Sequence, residues 1–415
     1  MPNYLLITIF VFVLLEYGVS TWLSWLNGTW MSHPIPAVLQ GLYDDDKYAR
    51  QQQYHRVGRR FASISRGVNL LVLLAFLAFG WFGAIDGWTK QLTEVSLLQL
   101  VLFLAVYDAV TTLVDLPFDY YSTFVIEERF GFNRTTHRTF WTDQAKSFAV
   151  SLLIEIVLLG IIFLLYQAWG QRFWLWASLV CMAFVLFFNL FYSNLIVPLF
   201  NKQTPLEAGP LRQAIEQAAA KMSFRISNIY VINGSKHSTK ANAYFTGFGG
   251  KKRIVLYDTL IEQLSTEEIV AVLAHEIGHY KHHDTIKGML QASVTIVAYL
   301  FLFSLLVGDA SLPEALGGTY PSFPLSMIAF SLLLTPLNLV LEPLGNIVSR
   351  RAEYKADAFS ASFGHGPWLI SGLKKLSANT LSNLTPHPLY VWFNYSHPTL
   401  EQRILSIQNN NSLSQ

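Results

Sequence analysis

One short motif in the sequence has residue types and spacing that suit metal-assisted hydrolysis. It is His275-Glu276-Ile277-Gly278-His279, in which two histidines four residues apart face the same side of a helix, with the carboxylate of Glu276 beside them. Two neutral imidazoles and a further carboxylate can hold a tetrahedral zinc ion and leave one position for water, whose pKa the metal lowers toward neutrality. We therefore predict His275 and His279 as zinc ligands and Glu276 as the base that accepts the proton from water.

A third ligand is needed, and Glu353 is the best candidate. Asp357 follows one helical turn later and could orient a ligand histidine through the ring N–H that does not bind metal. Asn346, at the start of the same segment, is assigned to the layer around the ligands. A hairpin of two membrane spans between His279 and Glu353 would return the chain to the side of the membrane on which His279 lies. The competing interpretation of Glu353 is a surface salt bridge with Arg351 or Lys355.

The composition places the chain among membrane proteins. Of its 415 residues, 52% are hydrophobic and 13% are charged, whereas about a quarter of the residues in a soluble domain are charged. The net charge of +2 gives no electrostatic footprint for nucleic acid, and the single cysteine cannot form an intrachain disulfide. Nothing in these patterns predicts an oligomeric state.

Seven apolar stretches are long enough to cross about 30 Å of hydrocarbon as helices. They lie at 4–26, 67–86, 95–117, 147–167, 173–198, 286–307 and 323–345. Lysine and arginine near span ends are retained on the cytoplasmic side, and they are concentrated after the first and third spans. This pattern predicts an outside N-terminus, a cytoplasmic C-terminus, and cytoplasmic placement of both long polar segments.

The chain is accordingly divided into four parts. They are 1–198 with the first five spans, 199–285 with the His275 motif, 286–345 with the last two spans, and 346–415 with the third ligand. Within 199–285 we predict a helix and three short strands, at Pro210–Met222, Ile229–Ile232, Ala243–Phe248 and Ile254–Tyr257. Ser265 and Glu268 form a capping box at the start of the helix that carries the motif.

Together with the motif, several longer stretches resemble the type I CAAX prenyl protease family of integral-membrane zinc endopeptidases. They are HEIGHYKHH (275–283), NIVSRRAEYKADAF (346–359), LPFDYYSTFVIEERFGFNRTT (116–136), SKHSTKANAYFTGFG (235–249) and YSHPTLEQR (395–403). The resemblance implies a mostly α membrane protein, with seven transmembrane helices around a chamber and a zincin-like α+β metalloprotease domain. It also implies one zinc ion per chain and cleavage of peptide bonds near the C-terminus of CAAX-type, prenylated proteins or peptides.

The same resemblance assigns roles to further residues. Asn242, Ala243 and Tyr244 would lie on an edge strand that pairs with the substrate backbone, as an extended peptide adds to a sheet edge. His397 would face the metal and stabilise the oxyanion, and Arg403 would brace that region. Taken alone, positions 242–244 indicate a plain strand, and a histidine before proline is more often a loop residue.

Several polar residues near these motifs keep more than one interpretation. The turn His282-His283-Asp284 is not predicted to supply ligands, and an exposed polar turn competes with a supporting role for His283. Three acidic residues lie within apolar spans: Glu16, Asp108 and Glu155. Ionisable groups in such spans usually face the bundle interior or water. Lining of a chamber and an interhelical hydrogen bond are both compatible with these positions.

Three other functions were weighed against the prenyl-protease type. An intramembrane protease would carry the motif inside an apolar span, but Glu267, Lys281 and Asp284 flank it closely. A membrane quality-control protease acting on misfolded or non-lipidated polypeptides would share the zinc site and is the alternative function. A transporter or scaffold that only binds metal would leave Glu276 and Glu353 unexplained. The compact loops favour a bacterial inner membrane, with the endoplasmic reticulum as the alternative in a eukaryote.

Overall fold

A computed structural model describes residues 4–226, 228–246 and 253–413. Its helices are α1 (Tyr4–Trp30), α2 (Asp45–Ala78), α3 (Trp81–Leu92), α4 (Ser96–Tyr121), α5 (His137–Trp169), α6 (Phe173–Leu195), α7 (Val197–Phe200), α8 (Pro210–Lys221), α9 (Asp258–Gln263), α10 (Thr266–Lys281), α11 (Asp284–Leu306), α12 (Ser311–Ala315), α13 (Phe323–Leu333), α14 (Thr335–Ser362), α15 (Gly366–Asn379), α16 (Pro388–Asn394) and α17 (Leu400–Leu413). The strands are β1 (Gln203–Pro205), β2 (Asn228–Ile232), β3 (Ala243–Thr246) and β4 (Arg253–Tyr257). A π-helical segment, Ser122–Glu127, extends α4.

Within the described residues, five helical stretches are long and apolar enough to cross a membrane, or up to six if a bent pair counts as one span. They are Tyr4–Ser32, Asp45–Ala78, Ser96–Glu127, His137–Phe200 and Asp284–Leu306, and the bent pair is α13 with α14. Large apolar side chains on these helices, such as Trp25, Leu71 and Leu113, are exposed on the protein surface. Lipid is the environment in which such helices are stable. The protein is a mostly helical, multi-pass membrane protein.

This count differs from the expected seven spans for local reasons. The stretch His137–Phe200 contains both α5 and α6, which turn at Gly170 and pack against each other. The expected span 67–86 is interrupted, because Gly80 adopts a left-handed φ of +66° and ends α2 before α3 begins. A bend of 58° separates α13 from α14, where Pro336 lacks the N–H that would continue one helix into the next.

A four-stranded sheet lies outside the membrane helices, with the order β1-β2-β4-β3. Strand β3 is at an edge and runs antiparallel to β4, whereas β2 and β4 are parallel. The three predicted strands correspond to β2, β3 and β4, although positions 247 and 248 of the second lie outside the described residues. Strand β1 has no predicted counterpart, because Gln-Thr-Pro is too short and polar to give an alternating pattern.

Helix α10 is held on both sides. One face packs with α8 and the sheet in a buried apolar cluster that includes Ile215, Ile254 and Ile277. The predicted capping box at Ser265 is present, and the carboxylate of Glu268 also accepts hydrogen bonds from two side chains of α15. Helix α14 packs along another face of α10 and continues through the predicted boundary at 345/346 without a break. One helix therefore extends from the membrane region to the motif.

Candidate metal centre and active site

Helices α10 and α14 bring the three predicted ligands together. One ligand atom from each of His275, His279 and Glu353 lies within 4.8 Å of the others. The Nε2 atoms of the two histidines are 3.1 Å apart, and those of His279 and His275 lie 3.2 and 3.6 Å from the Glu353 carboxylate oxygens. His275 and Glu353 are buried. The sequence separation between motif and third ligand is thus closed by helix packing.

The central glycine of the motif allows this packing. A Cβ atom at Gly278 would lie 2.9 Å from Ala356 Cα and 3.1 Å from the Ala356 carbonyl oxygen. Both atoms belong to the backbone of α14, so they cannot rotate away. Because Ala356 is three residues after Glu353, the close approach at Gly278 determines how near the third ligand comes to the histidines. The motif alone predicts no role for Gly278.

Each ligand histidine is oriented by a carboxylate. Asp357 lies 2.8 Å from Nδ1 of His275, the position that sequence reasoning assigned to it. Asp284 lies 3.0 Å from Nδ1 of His279. The sequence pattern does not predict this contact, since for the turn at 282–284 it leaves open an exposed polar turn and a supporting role for His283. Helix α10 ends at Lys281 and His283 adopts a left-handed φ of +57°, which turns the start of α11 back toward the site. In the sequence, the contact of Asp284 with His279 is indicated only by the position of a carboxylate just after the end of α10.

Arg403 connects the two carboxylates of α14. Its guanidinium donates two hydrogen bonds to Asp357, of 2.6 and 2.9 Å, and lies 3.5 Å from Glu353. A bidentate arginine–carboxylate pair fixes geometry as well as charge. Burial lowers the pKa of Arg403, but the hydrogen bonds and charge of Asp357 outweigh burial and raise it above its usual range. Arg403 therefore stays cationic and holds Asp357 ionised against His275.

The pKa of His279 reflects the same concentration of carboxylates. Burial alone would lower it, but hydrogen bonds to Glu353 and Asp284 raise the pKa of His279 to about 9. The imidazole consequently carries a proton at neutral pH unless a cation replaces that proton. A metal that binds here must compete with one proton, as is general for histidine ligands.

His397 approaches the centre from a loop between α16 and α17. Its Nε2 lies 3.3 Å from a Glu353 oxygen, its Nδ1 lies 3.0 Å from Ser396 Oγ, and the side chain is 64% exposed. The segment before this loop is held by α14, because Asn346 donates to the carbonyl oxygen of Phe393 in the last turn of α16 at 2.6 Å. Asn346 therefore contacts the end of α16 that leads into the His397 loop, and no hydrogen bond to a ligand is found for it among the described residues.

A second α14 side chain holds the same loop and was not singled out from the sequence. Arg350 donates to the backbone carbonyl oxygens of Tyr395 and, at 3.3 Å, of Val391. It follows Asn346 by four residues, so the two side chains share one helix face. The four-residue spacing shows from the sequence alone that the two side chains share a face, but it does not show which loop that face contacts.

Glu276 and the edge strand lie on accessible parts of the site. Glu276 is half-buried, and within the described chain no hydrogen bond or ion pair occupies its carboxylate. Strand β3 adjoins α10 through Phe245 and Tyr280, whose ring centres are 5.8 Å apart. The Asn242 carbonyl oxygen accepts from the backbone of β4, and the Tyr244 hydroxyl lies 3.2 Å from Ser193 Oγ. One side of β3 is left without a strand partner in the described sheet.

Comparisons with known proteins show the family to which the chain belongs. Residues 24–202 match the family described as CAAX prenyl protease N-terminal, five membrane helices, and residues 205–411 match Peptidase family M48. A CAAX prenyl protease 1 homolog of Oryza sativa subsp. japonica is 33% identical over 412 residues, covering 97% of this chain and 96% of that protein. The chain belongs to peptidase family M48. The resemblance found from the sequence is therefore confirmed.

Two further relatives of this M48 chain extend the comparison. CAAX prenyl protease 1 of Saccharomyces cerevisiae is 33% identical over 424 residues, covering 95% of this chain and 93% of that protein. The crystal structure of S. mikatae Ste24p superposes with a TM-score of 0.92 at 31% identity, covering 98% of this chain and 99% of that one. The match spans both the membrane helices and the segment with the metal-ligand motif.

The M48 site fits a divalent metal by its own chemistry. Oε2 of Glu353 is buried and has no hydrogen-bond partner among the described residues, which is costly for a carboxylate. Both ligand histidines direct their Nδ1 atoms to carboxylates and turn their Nε2 atoms toward each other. Two imidazole lone pairs 3.1 Å apart repel unless a cation or a proton lies between them. One metal ion bound by the two Nε2 atoms and the Glu353 carboxylate would satisfy all of these lone pairs.

The remaining polar residues fall outside the metal centre. The rings of His282 and Phe359 form a T-shaped pair, and His283 forms the turn before α11. Glu16 accepts a hydrogen bond from Ser20 Oγ at 2.9 Å. Asp108 of α4 and Glu155 of α5 interact with each other electrostatically, which supports the interhelical interpretation for that pair.

Proposed function

We propose that this M48 chain is a zinc-dependent membrane endopeptidase that hydrolyses a peptide bond near the C-terminus of CAAX-type, prenylated proteins or peptides. The observation that carries the catalytic part is the convergence of His275, His279 and Glu353, with Glu276 beside them. The substrate class is inferred from the names of relatives that match nearly the whole chain. The alternative is quality-control cleavage of non-lipidated polypeptides.

The metal is proposed to be one zinc ion per chain, held by His275, His279 and Glu353. Two imidazoles and one carboxylate are the usual protein donors of a catalytic zinc site, and they leave a coordination position open. When bound, zinc lowers the pKa of water and polarises a carbonyl oxygen. Asp357 and Asp284 keep both imidazoles oriented, and Arg403 holds Asp357 in place. Asn346 supports the His397 loop.

Glu276 is proposed as the general base and then the proton donor. Its carboxylate is free of competing hydrogen bonds in the described chain, so it can accept the proton of the attacking water and return it to the leaving amine. His397 is proposed to donate a hydrogen bond to the oxyanion, since its Nε2 points at the metal centre from the solvent-accessible side.

The substrate backbone is proposed to add to the free edge of β3. Asn242, Ala243 and Tyr244 would supply main-chain hydrogen bonds, as an extended peptide receives from a sheet edge. Strand β3 is next to α10, the helix that carries the motif, so a peptide on this edge would pass close to the ligands. Main-chain recognition of this kind is tolerant of substrate side chains.

For the membrane we propose seven crossings around a chamber, with a zincin-like α+β domain on the cytoplasmic side. Counting α5 and α6 separately and the bent α13–α14 pair once raises five stretches to seven. We propose the same four parts of the chain as in the sequence-based division, namely 1–198, 199–285, 286–345 and 346–415. The excess of Lys and Arg after the first and third spans supports a cytoplasmic catalytic domain. The bacterial inner membrane is the proposed location, or the endoplasmic reticulum in a eukaryotic cell.

The decisive experiment measures zinc content and cleavage of a farnesylated CAAX peptide and its unlipidated twin by the purified full-length protein. Glu276→Gln should retain zinc and lose about 10²–10⁴-fold in turnover, the usual contribution of a general base. Near-normal hydrolysis in that variant would overturn the mechanism. Equal cleavage of both peptides by the wild type would favour quality control, and zinc without any hydrolysis would leave a metal-binding protein that is not a peptidase.

A further inference from the structure

A polar cavity is lined by residues of the first two helices and of the region around α16. It has a volume of about 580 Å³ and opens between α1, α2, the π-helical segment and α16. Two arginines of α2 that line it, Arg59 and Arg66, are seven residues apart and so share one face of the helix. Both are half-buried, whereas their neighbours Arg56 and Arg60 are exposed. The two arginines therefore belong to the cavity rather than to the general basic surface.

The cavity has an excess of positive charge. Its one lining carboxylate, Glu127, is occupied by Lys240 Nζ at 2.7 Å and by the Tyr54 hydroxyl at 2.6 Å. The hydrogen bonds found for Arg59 and Arg66 go to the Met31 sulfur and to a backbone carbonyl oxygen in the same helix. Within the described residues neither guanidinium has a carboxylate partner. Two such groups lining one cavity suit an anionic ligand.

The position of the Arg59 guanidinium depends on a glycine of the neighbouring helix α1. A Cβ atom at Gly28 would lie 1.8 Å from Arg59 Nη1 and 2.2 Å from its Cζ. The guanidinium thus lies directly over the bare backbone of α1, and any side chain at Gly28 would displace it. The basic group is placed by the fold, which distinguishes it from a freely rotating surface arginine.

The cavity lies between two parts of the catalytic machinery. Lys240, which binds Glu127 of the cavity, precedes Ala243, the first residue of β3, by three residues. Tyr390 lines the cavity and precedes His397 by seven residues, through the loop that α14 holds. A peptide that extends past the beginning of β3 on the His397 side would therefore be directed toward this cavity.

Strand direction decides which end of a substrate arrives there. Antiparallel pairing is the more frequent and slightly more stable arrangement for an added strand. A peptide antiparallel to β3 has its C-terminal end at the start of β3, where the cationic cavity lies. On the basis of the proposed function, we propose that Arg59 and Arg66 bind the free α-carboxylate of the substrate. Three extended residues span about 10 Å, so this contact would set cleavage a few residues from the chain end.

The test compares a farnesylated CAAX peptide that ends in a carboxylate with the same peptide ending in a carboxamide. For the zinc-loaded full-length wild type we expect kcat/KM to favour the acid by about tenfold or more, as for a charge-assisted hydrogen bond. Arg59→Gln and Arg66→Gln should bring the ratio of acid to amide close to one. Gly28→Ala, which keeps the charge but displaces the guanidinium, should also lower the ratio. Arg60→Gln is the matched control on the exposed face and should keep it.

Binding of both peptides to Glu276→Gln protein separates this proposal from the proposed function. If the wild type cleaves neither peptide, the proposed function fails, and the ratio of affinities still decides whether the carboxylate is bound. A wild-type ratio of one, or an unchanged ratio in Arg59→Gln, would overturn the proposal. If activity instead depends on phosphatidylglycerol in phosphatidylcholine nanodiscs, and Arg59→Gln removes that dependence while the peptide ratio is one, the anion is a lipid phosphate and the proposal is wrong.

Discussion

Replacing Gly278 by alanine should weaken the metal site far more than it destabilises the fold. The new Cβ would lie 2.9 Å from Ala356 Cα, and ordinary van der Waals contact begins at 3.4 Å. A separation of α10 and α14 by 3.4 − 2.9 = 0.5 Å at this point would restore an ordinary contact. Glu353 is one turn from Ala356, so its carboxylate should move away from the histidines by a similar distance.

The two consequences of this shift differ in size. Overpacking in a tight interior costs about 1–3 kcal/mol, while exchange of glycine for alanine within a helix returns about 1 kcal/mol, so the net change in unfolding free energy is small. Metal–ligand distances are confined to about ±0.2 Å, and a 0.5 Å displacement exceeds that range. We expect zinc affinity to fall by about 10–100-fold, the usual effect of disturbing ligand support.

Chelator competition would measure zinc affinity, and thermal unfolding of the metal-free protein would measure stability. Gly288→Ala is the matched control, because Gly288 is also helical and a Cβ there would meet nothing within 4 Å. Wild-type zinc affinity in Gly278→Ala would refute the idea that this contact sets the position of Glu353. A large loss of stability with unchanged zinc affinity would mean that the strain from the added Cβ is taken up elsewhere in α10 and does not displace Glu353.

Three further predictions follow from the site. The pKa of His279 is raised to about 9 from an ordinary 6.5, so apparent zinc affinity should rise about tenfold per pH unit between pH 6.5 and pH 9 and level off above pH 9. The same shift in pKa stabilises the metal-free fold below pH 6.5, and this contribution is lost as the pH rises through 9. Chelator competition and unfolding of the metal-free protein, each measured against pH, would test the two expectations. Asp284→Ala should lower zinc affinity about 10–100-fold in the same chelator assay, whereas Lys287→Ala, which removes only the partner 3.4 Å from Asp284, should not; equal affinities in both variants would exclude an orienting role. His397→Ala should reduce kcat by about 10²–10³-fold with full zinc content, and Arg350→Gln should give a smaller loss of the same kind because it only frees the His397 loop; loss of zinc in either variant would contradict these roles.

Much of the metal centre could be predicted from the sequence because it is encoded locally. The spacing of His275 and His279 and the capping box at Ser265 depend only on helical geometry, and α10 contains both as expected. Glu353 could be assigned because two apolar stretches between it and His279 implied a return to the same side. In each case a periodic or positional pattern was sufficient.

Other features could not be predicted because they depend on single backbone conformations. Asp284 reaches His279 through the left-handed residue His283, and a left-handed histidine has no reliable sequence signature. The break at Gly80 and the bend before Pro336 are likewise invisible to an average of hydropathy over a long window. The role of Gly278 depends on its contact with Ala356, which lies 356 − 278 = 78 positions later in the sequence. Segment hydropathy therefore located the helices better than it located their ends.

Helix α14 unites these observations, because every part of the site that is remote in sequence is attached to it. Glu353 and Asp357 face the histidines, while Asn346 and Arg350 on the preceding turns hold the loop that presents His397. The helix continues from a bent membrane span, so its register against α10 is set partly in the membrane and partly at Gly278. A displacement of α14 would move the third ligand and the His397 loop together. The candidate ligand cluster and His397, the proposed oxyanion donor, are therefore coupled by one rigid element, and a perturbation of either is expected to reach the other.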